Sequence, residues 1–514
     1  MALSGCRPRV SSVLWYVVFF GFSINYMLRV NINIAIVSMV LPRLGKAGDA
    51  GVHVSECFAA RPAAANLSGD GNSTAASRDD EEGLRFDWDE RQQGLVLGAF
   101  FWFHWLTQVP GGMLARRFGT KLVFGLSNWV PCLLCFLVPL GARADFRLLV
   151  ALRFLQGVVA GFAWPSMHNL TAAWVPPNER SKFVTAYMGS SVGTAVTFPL
   201  CGWLMSVYGW PSVFYTTGIL GTAWFCAWWL LVFNTPAQHP TISTGEREHI
   251  EGSIGQSKAS KKMPTPWRHI LLSLPMWMNV LSQWGNIWGL FTLMTQAPTY
   301  FKYIHGWGIG MTGLLSGVPH VCRIITAYLT GTLCDWLLQR NLMQRTAVRK
   351  LATAICCIGQ GLFVLGLAFS GCNKVASVVF LALATGCSGA VSSGALASLI
   401  DLSPNFASIM FGISNTVTVA PGIISPIIVG VLTYNNQTVG QWQIVFLITA
   451  AMALTVGVSY MFCASSDLQP WNDLSPEGAL DLLRGVGADK AGRALLAGAA
   501  KQTEAGGKAK DDAA

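Results

Sequence analysis

Long apolar stretches separated by short polar connectors recur along most of this chain. A helix needs roughly 20 apolar residues to cross a bilayer. The pattern therefore predicts spans at Leu14–Leu41, Gly94–Ala115, Leu122–Gly141, Leu148–Trp174, Phe183–Tyr208 and Ser212–Phe233. A polar stretch intervenes, and further spans follow at Leu271–Tyr300, Thr312–Leu338, Leu351–Ser370, Val375–Leu402, Ala407–Thr433 and Ile444–Cys463. The expected fold is an all-α membrane protein with twelve transmembrane helices in two pseudo-symmetric six-helix halves. Residues 1–12 form a short N-terminal segment, 13–233 the first half, 234–270 a central loop, 271–463 the second half and 464–514 a polar tail.

Composition agrees with that reading. Only 12% of residues are charged and 52% are hydrophobic, whereas soluble domains are about a quarter charged. The net charge of +10 is therefore read by loop, as topology, and not as affinity for nucleic acid. The basic connectors Arg116–Lys121, Asn178–Lys182 and Gln339–Lys350 fall on the same side as the N-terminus. The bias of positive charge toward the cytoplasm makes that side cytoplasmic, with both termini on it. The loop 42–87 falls on the opposite side and holds two glycosylation acceptors, Asn66 and Asn72; Asn436 is a third on that side. Asn169 has the same local pattern but lies within a span. No cleavage site follows an apolar region of signal-peptide length, so Leu14–Leu41 is expected to be retained as the first helix. The 13 Cys lie mostly in apolar runs. Cys57 and Cys372 lie in non-cytoplasmic stretches where they could pair, which spacing alone leaves open.

The first span carries the most informative chemistry. Asn25, Arg29 and Asn33 are spaced to form one polar stripe on a helix, and with Tyr26 they are the candidate substrate-binding residues of this span. A charge in mid-membrane costs at least about 2.5–3.5 kcal/mol, so it normally faces a partner or a wet cavity. The guanidinium's fork of donors fits a carboxylate or phosphate, and Arg29 is expected to bind an anion in transit, the alternative being a structural ion pair. In the fourth span Arg153, Gln156, Trp164 and His168 share a face. His168 is a candidate for proton coupling, because histidine is the side chain whose ordinary pKa lies nearest neutral pH, or else a neutral histidine bonded to a neighbouring helix. Arg153 is a candidate gate or structural partner, and Gln156 and His320 are further candidates for coupling or gating. Pro165 is expected to kink the helix beside His168. In the eighth span Arg323 sits deep, with His320 three residues before it; Arg323 is a candidate second cation for the anion. His104 reads as interfacial packing. Tyr26, Trp164 and Trp288 are candidate cavity walls, although packing is the commoner role for tryptophan. No nucleophile–base–orienter set, metal-ligand cluster or phosphate-binding Gly-Lys-Ser/Thr motif is present, so neither a membrane-embedded enzyme using His168 or His320 nor an ATP-driven pump is supported.

Two six-helix halves around a central loop resemble the major facilitator superfamily. Gly112–Lys121 at the end of the second span has a weak counterpart in Gly331–Trp336 at the end of the eighth. The acid of that superfamily's loop motif is kept in the second copy as Asp335; Arg116 stands in its place in the first. More specific stretches occur in order through both halves. They include Asn25-Tyr26-x-Leu28-Arg29-Val30-Asn31, Trp88-Asp89-Glu90, Thr107-Gln108-Val109-Pro110-Gly111-Gly112, Arg153-Phe154-Leu155-Gln156-Gly157, Trp164-Pro165-x-Met167-His168, Gly412-Ile413-Ser414-Asn415 and Gln441-Trp442-Gln443. This ordered set resembles the anion/cation symporter group, solute carrier family seventeen, which contains sialin, the vesicular glutamate transporters and sodium–phosphate cotransporter-like proteins.

That resemblance implies a secondary active carrier of organic or inorganic anions that works by alternating access. Arg29 stands at the family's anion-site position. A sialin-like or vesicular organic-anion carrier is the leading reading, and a sodium-dependent phosphate or urate carrier the alternative. No cofactor is implied, and the coupling ion is proton or sodium. Sialin-like members carry carboxylates where this chain has Gln156 and Ala160, so coupling through a buried acid is not expected here. The implied partners are a small anionic substrate and the lipid bilayer, with no nucleic acid and a monomeric state. The implied address is a lysosomal, vesicular or plasma membrane.

Overall fold

The computed structural model describes residues 10–41, 57, 85–176, 183, 185–258 and 265–472. Helices account for its architecture. The first, α1 (Val10–Met39), is followed by a broken second span, α2 (Glu90–Ala99) and α3 (Gln108–Phe118). Then come α4 (Thr120–Ala144), the paired segments α5 (Phe146–Ala160) and α6 (Ala163–Trp174), α7 (Gly189–Tyr208) and α8 (Pro211–Leu231). The central loop forms α9 (Thr244–Lys258). The second half contains α10 (Leu274–Tyr303), α11 (Ile309–Gln339), α12 (Arg345–Ala368), α13 (Lys374–Leu402), α14 (Ala407–Thr418), α15 (Ala420–Leu432) and α16 (Val439–Cys463).

Among the described residues, nine segments are long and apolar enough to cross a membrane. The remaining three expected spans are helical but less apolar or interrupted. α8 is rich in Trp, Thr and Gly. α10 buries Asn279, Gln283 and Asn286. The second span stops being helical between Phe100 and Thr107. Phe100-Phe101-Trp102-Phe103-His104-Trp105 is an unbroken run of ring residues, and such side chains lose rotamer freedom against a helix's preceding turn. The fourth span breaks at Gly161–Phe162. The expected kink thus lies one turn ahead of Pro165, because a proline ring clashes with the carbonyl four residues back, here that of Gly161.

The two ends of the bundle differ. One bears the disulfide between Cys57 and Cys372, with an S–S distance of 2.04 Å, and is called here the disulfide face. The other, where α1 begins, is the terminal face. On the disulfide face the halves meet tightly. Glu90 Oε2 accepts the Asn435 N–H at 3.2 Å, and the Arg91 guanidinium lies 4.2 Å from the Tyr434 ring centre. A Cβ on Gly94 would lie 2.6 Å from the Pro426 carbonyl oxygen, so only glycine allows α2 to reach α15 there. α7 and α11 approach equally closely where Gly202 faces Gly313. The structure is therefore closed on the disulfide face. Gly94→Leu is expected to wedge it apart; a cysteine introduced at Ile423, which faces Gly98 of α2, would then react with an impermeant maleimide from that side several-fold faster than in an otherwise wild-type background.

His305 lies on the same face, wholly buried against Tyr300, Phe301 and Trp307 at ring distances of 5.1, 6.3 and 5.2 Å. Burial, and secondly the Lys374 ammonium, lower its pKa to about 4. An unfolded chain takes up this proton near pH 6.5. The stability that neutral His305 contributes is thus present at neutral pH and lost as pH falls from about 6.5 toward 4. Melting temperature is expected to drop between pH 7 and pH 5, and His305→Phe should flatten that slope whatever its effect on absolute stability.

The terminal face is held by polar contacts. Glu246 of α9 caps α1, accepting from the N–H groups of Val10 and Ser11 at 3.3 and 3.0 Å and from the Ser11 hydroxyl at 2.8 Å. A carboxylate at a helix N-terminus satisfies otherwise unpaired donors and opposes the helix dipole. In the second half, Arg349 pairs with Asp401 at 2.7 Å and donates to the Ser393 carbonyl at 2.9 Å. The start of the tail is docked beside them. Ser466 Oγ lies 2.7 Å from Ser398 Oγ, the Gln469 N–H donates to the Leu402 carbonyl at 2.9 Å, and Trp471 is buried among Phe406, Met410 and Ile270.

Candidate functional site

Arg29 lies near the middle of α1 and is 5% exposed. Its guanidinium carbon is 4.6 Å from the Tyr26 ring centre, 5.4 Å from that of Phe100 and 5.6 Å from that of Phe101. These π faces favour a cation at close range. The break in the second span carries His104 inward, where it is 3% exposed. Its Nε2 lies 3.3 Å from Arg29 Nη2 and its Nδ1 lies 3.1 Å from the Gly157 carbonyl oxygen. Gly157 and Gly161 allow this approach, since a Cβ on either would strike the backbone of the Phe100–Thr107 segment. Arg29 Nε has no hydrogen-bond partner among the described residues.

The other members of the stripe turn to different neighbours. Asn25 donates to Asn128 Oδ1 of α4 at 2.9 Å, and Asn33 donates to the Met294 carbonyl of α10 at 3.5 Å. Tyr26 is half-buried beside Arg29. Arg323, from the second half, donates to Ser191 Oγ at 3.0 Å, and its Nε is unpartnered among the described residues. Arg323 thus reaches across to the first half, where the Tyr26 ring lies against the Arg29 guanidinium.

Arg153 is buried and directed at α1. It donates to the Leu28 carbonyl at 3.2 Å, to Gln156 Oε1 at 2.8 Å and, at 3.5 Å, to the Arg29 carbonyl. Gln156 passes the contact on, donating to the Pro131 carbonyl at 3.1 Å. This network braces the backbone that carries Arg29. His168 is exposed, with its ring 5.7 Å from that of Tyr187. Trp164 packs on Phe22 at 4.6 Å, and Trp288 is buried. His320 is buried and stacked on Phe198 at 5.7 Å. Asn436 is exposed on the disulfide face, whereas Asn66 and Asn72 lie outside the described residues. His104 is the Arg29 partner that sequence reasoning placed at the membrane interface. Its signal was present: it is the sole ionisable group in the aromatic run.

Among the described residues no carboxylate pairs with Arg29, Arg153 or Arg323. The acids of the described spans sit near helix ends, as at Glu90, Asp145, Asp335 and Asp401. Buried cations without counter-charge are costly, and Arg29, Arg153 and Arg323 carry that cost among the described residues.

A family model described as Major Facilitator Superfamily matches residues 18–359. Curated relatives narrow the assignment. Vesicular glutamate transporter 3 of Danio rerio is 35% identical over 474 residues, covering 91% of this chain and 74% of that one. Sialin of Ovis aries is 35% identical over 467 residues, covering 91% of each. The chain belongs to the solute carrier seventeen group of the major facilitator superfamily. Solved structures support the fold. A bacterial homologue of the human lysosomal transporter Spinster, inward-facing and occupied, matches with TM-score 0.59 at 13% identity, over 88% of this chain and 96% of that one. A D-xylose–proton symporter matches with TM-score 0.59 at 13% identity, over 89% and 98%. As a member of this superfamily the chain is a multi-pass membrane transporter and not an enzyme.

Proposed function

We propose that this transporter carries small organic anions by rocking its two halves about a mid-membrane site formed by Arg29, Tyr26 and Arg323. One observation carries the reading: Arg29 of the first half and Arg323 of the second each bury an Nε that has no partner among the described residues, and Arg323 reaches across to Ser191 of the first half. An anion bound there bridges the halves. The relatives named for glutamate transport, and sialin, make acidic amino acids and sialate the first substrates to test. Asn25 and Asn33 set the register of α1 around Arg29, while Arg153 and Gln156 brace it. His168 and His320 are available for proton movement near the pathway.

The disulfide and the Asn436 acceptor support a lumenal or extracellular disulfide face, which leaves both termini cytoplasmic in a vesicular, lysosomal or plasma membrane. In that orientation the structure is closed to the lumen. The carrier acts as a monomer with the lipid bilayer as its partner and needs no cofactor beyond a coupling ion, proton or sodium. The test is uptake into proteoliposomes of L-glutamate, L-aspartate, sialate, urate and phosphate under a proton gradient, a sodium gradient or potential alone. Saturable uptake of an organic anion without ATP supports the reading. Uptake of phosphate alone, driven by sodium, replaces it with the sodium–phosphate alternative.

A further inference from the structure

The hydrogen bonds of His104 fix its state. The Gly157 carbonyl can only accept, so His104 Nδ1, 3.1 Å away, carries a hydrogen. Nε2 then presents its lone pair to Arg29 Nη2, which donates to it at 3.3 Å. The groups against the imidazole are Arg29 from α1 and Phe100 and Phe101 from its own segment; behind them lie Tyr26, against Arg29, and Arg153 from α5, whose guanidinium is 5.2 Å from the Phe100 ring centre. None is an acid. With the site empty, a proton on Nε2 would set imidazolium against guanidinium, donor against donor and charge against charge.

An anion on Arg29 reverses this. It neutralises the guanidinium, takes over the donor that Nε2 had accepted, and presents its own oxygens to a newly formed Nε2–H. Binding free energies are reciprocal, so whatever the anion adds to proton binding, the proton adds to anion binding. His104 also sits in the non-helical Phe100–Thr107 segment, where the backbone is not committed to a helical hydrogen-bond ladder.

We propose that His104 is the proton-coupling residue of this transporter: Nε2 releases Arg29 and takes a proton when an anion binds, and the two cross together. The proposal rests on the anion-carrier reading above. The proton comes from the compartment that supplies the anion and leaves to the other, returning Nε2 to Arg29. This gives one proton per anion and requires no buried carboxylate.

The experiment uses the full chain in proteoliposomes, with radiolabelled L-glutamate and sialate as probes. Exchange at equal pH on both sides reports the anion site, and accumulation under an inward proton gradient reports coupling. H104Q can present an N–H to Gly157 and an oxygen to Arg29 but holds no proton. It removes the Nε2–H that faces the bound anion, so exchange is expected to weaken and to lose its pH dependence, while gradient-driven accumulation is lost altogether. Apparent wild-type affinity should rise as pH falls, by up to about tenfold per unit for one linked proton, and in H104Q that dependence should flatten. Proton-driven accumulation by H104Q at the wild-type level overturns the assignment in favour of His168 or His320. If H104Q does not fold, wild-type protein in weak buffer decides: proton uptake on adding the probe supports the proposal, and none overturns it. Absence of wild-type exchange for both probes instead refutes the carrier reading itself.

Discussion

Arg29→Ala loses about 100-fold in anion uptake while the protein remains folded. A charge-assisted contact to a buried ligand is worth about 3 kcal/mol, which corresponds to about two decades in affinity. Stability should not suffer, because among the described residues Arg29 has a single direct hydrogen bond, to His104 at 3.3 Å, and no paired charge. Removing an unpaired buried cation relieves its desolvation cost. Arg29→Lys should fall between, since lysine keeps the charge and loses the fork that matches a carboxylate. Uptake assays beside thermal melts check the pair of expectations. A well-folded R29A with wild-type uptake would remove Arg29 from the site.

Arg153→Ala is expected to behave in the opposite way. Its guanidinium ties α5 to two backbone carbonyls of α1 and to Gln156. Truncation strips those acceptors of their donor and opens a void beside Phe100, with an expected cost of about 3 kcal/mol or more. The melting temperature should drop by several degrees, and monodisperse protein should fall with it. A variant that melts like wild type but has lost proton-driven uptake would instead place Arg153 on the transport pathway. The two arginines are both buried and both in mid-span, yet one is expected to report on transport and the other on folding.

Residue pattern made the architecture legible because membrane crossing imposes a local rule, roughly 20 apolar residues per helix. Arg29 was legible for the same reason, as a charge where the rule forbids one. His104 was not, since its partner Arg29 lies 75 residues away in sequence. The Glu246 cap on α1 spans 235 residues and the Cys57–Cys372 bond 315; spacing says nothing about either. Helix breaks were half legible. Pro165 announced one, but its position at Gly161–Phe162 follows from the clash with the preceding turn. The break at Phe100–Thr107 required seeing a run of rings as a poor helix rather than as a good membrane anchor. Asn25 and Asn33 share a stripe with Arg29 on paper, and their partners on α4 and α10 separate them in space.

The docked start of the tail sets a practical boundary for anyone who shortens or fuses this chain. Ser466, Gln469 and Trp471 lie beyond the last spanning helix, which ends at Cys463, yet they pin the ends of α13 and the turn into α14. Asn472 Oδ1 accepts from Ser403 Oγ at 2.7 Å and from the Asn405 N–H at 3.2 Å. A reporter joined directly after the membrane helix would displace this peptide and unseal the apolar patch under Trp471. One joined after Asn472 would keep the strap intact, so the segment behaves as the final stitch of the second half.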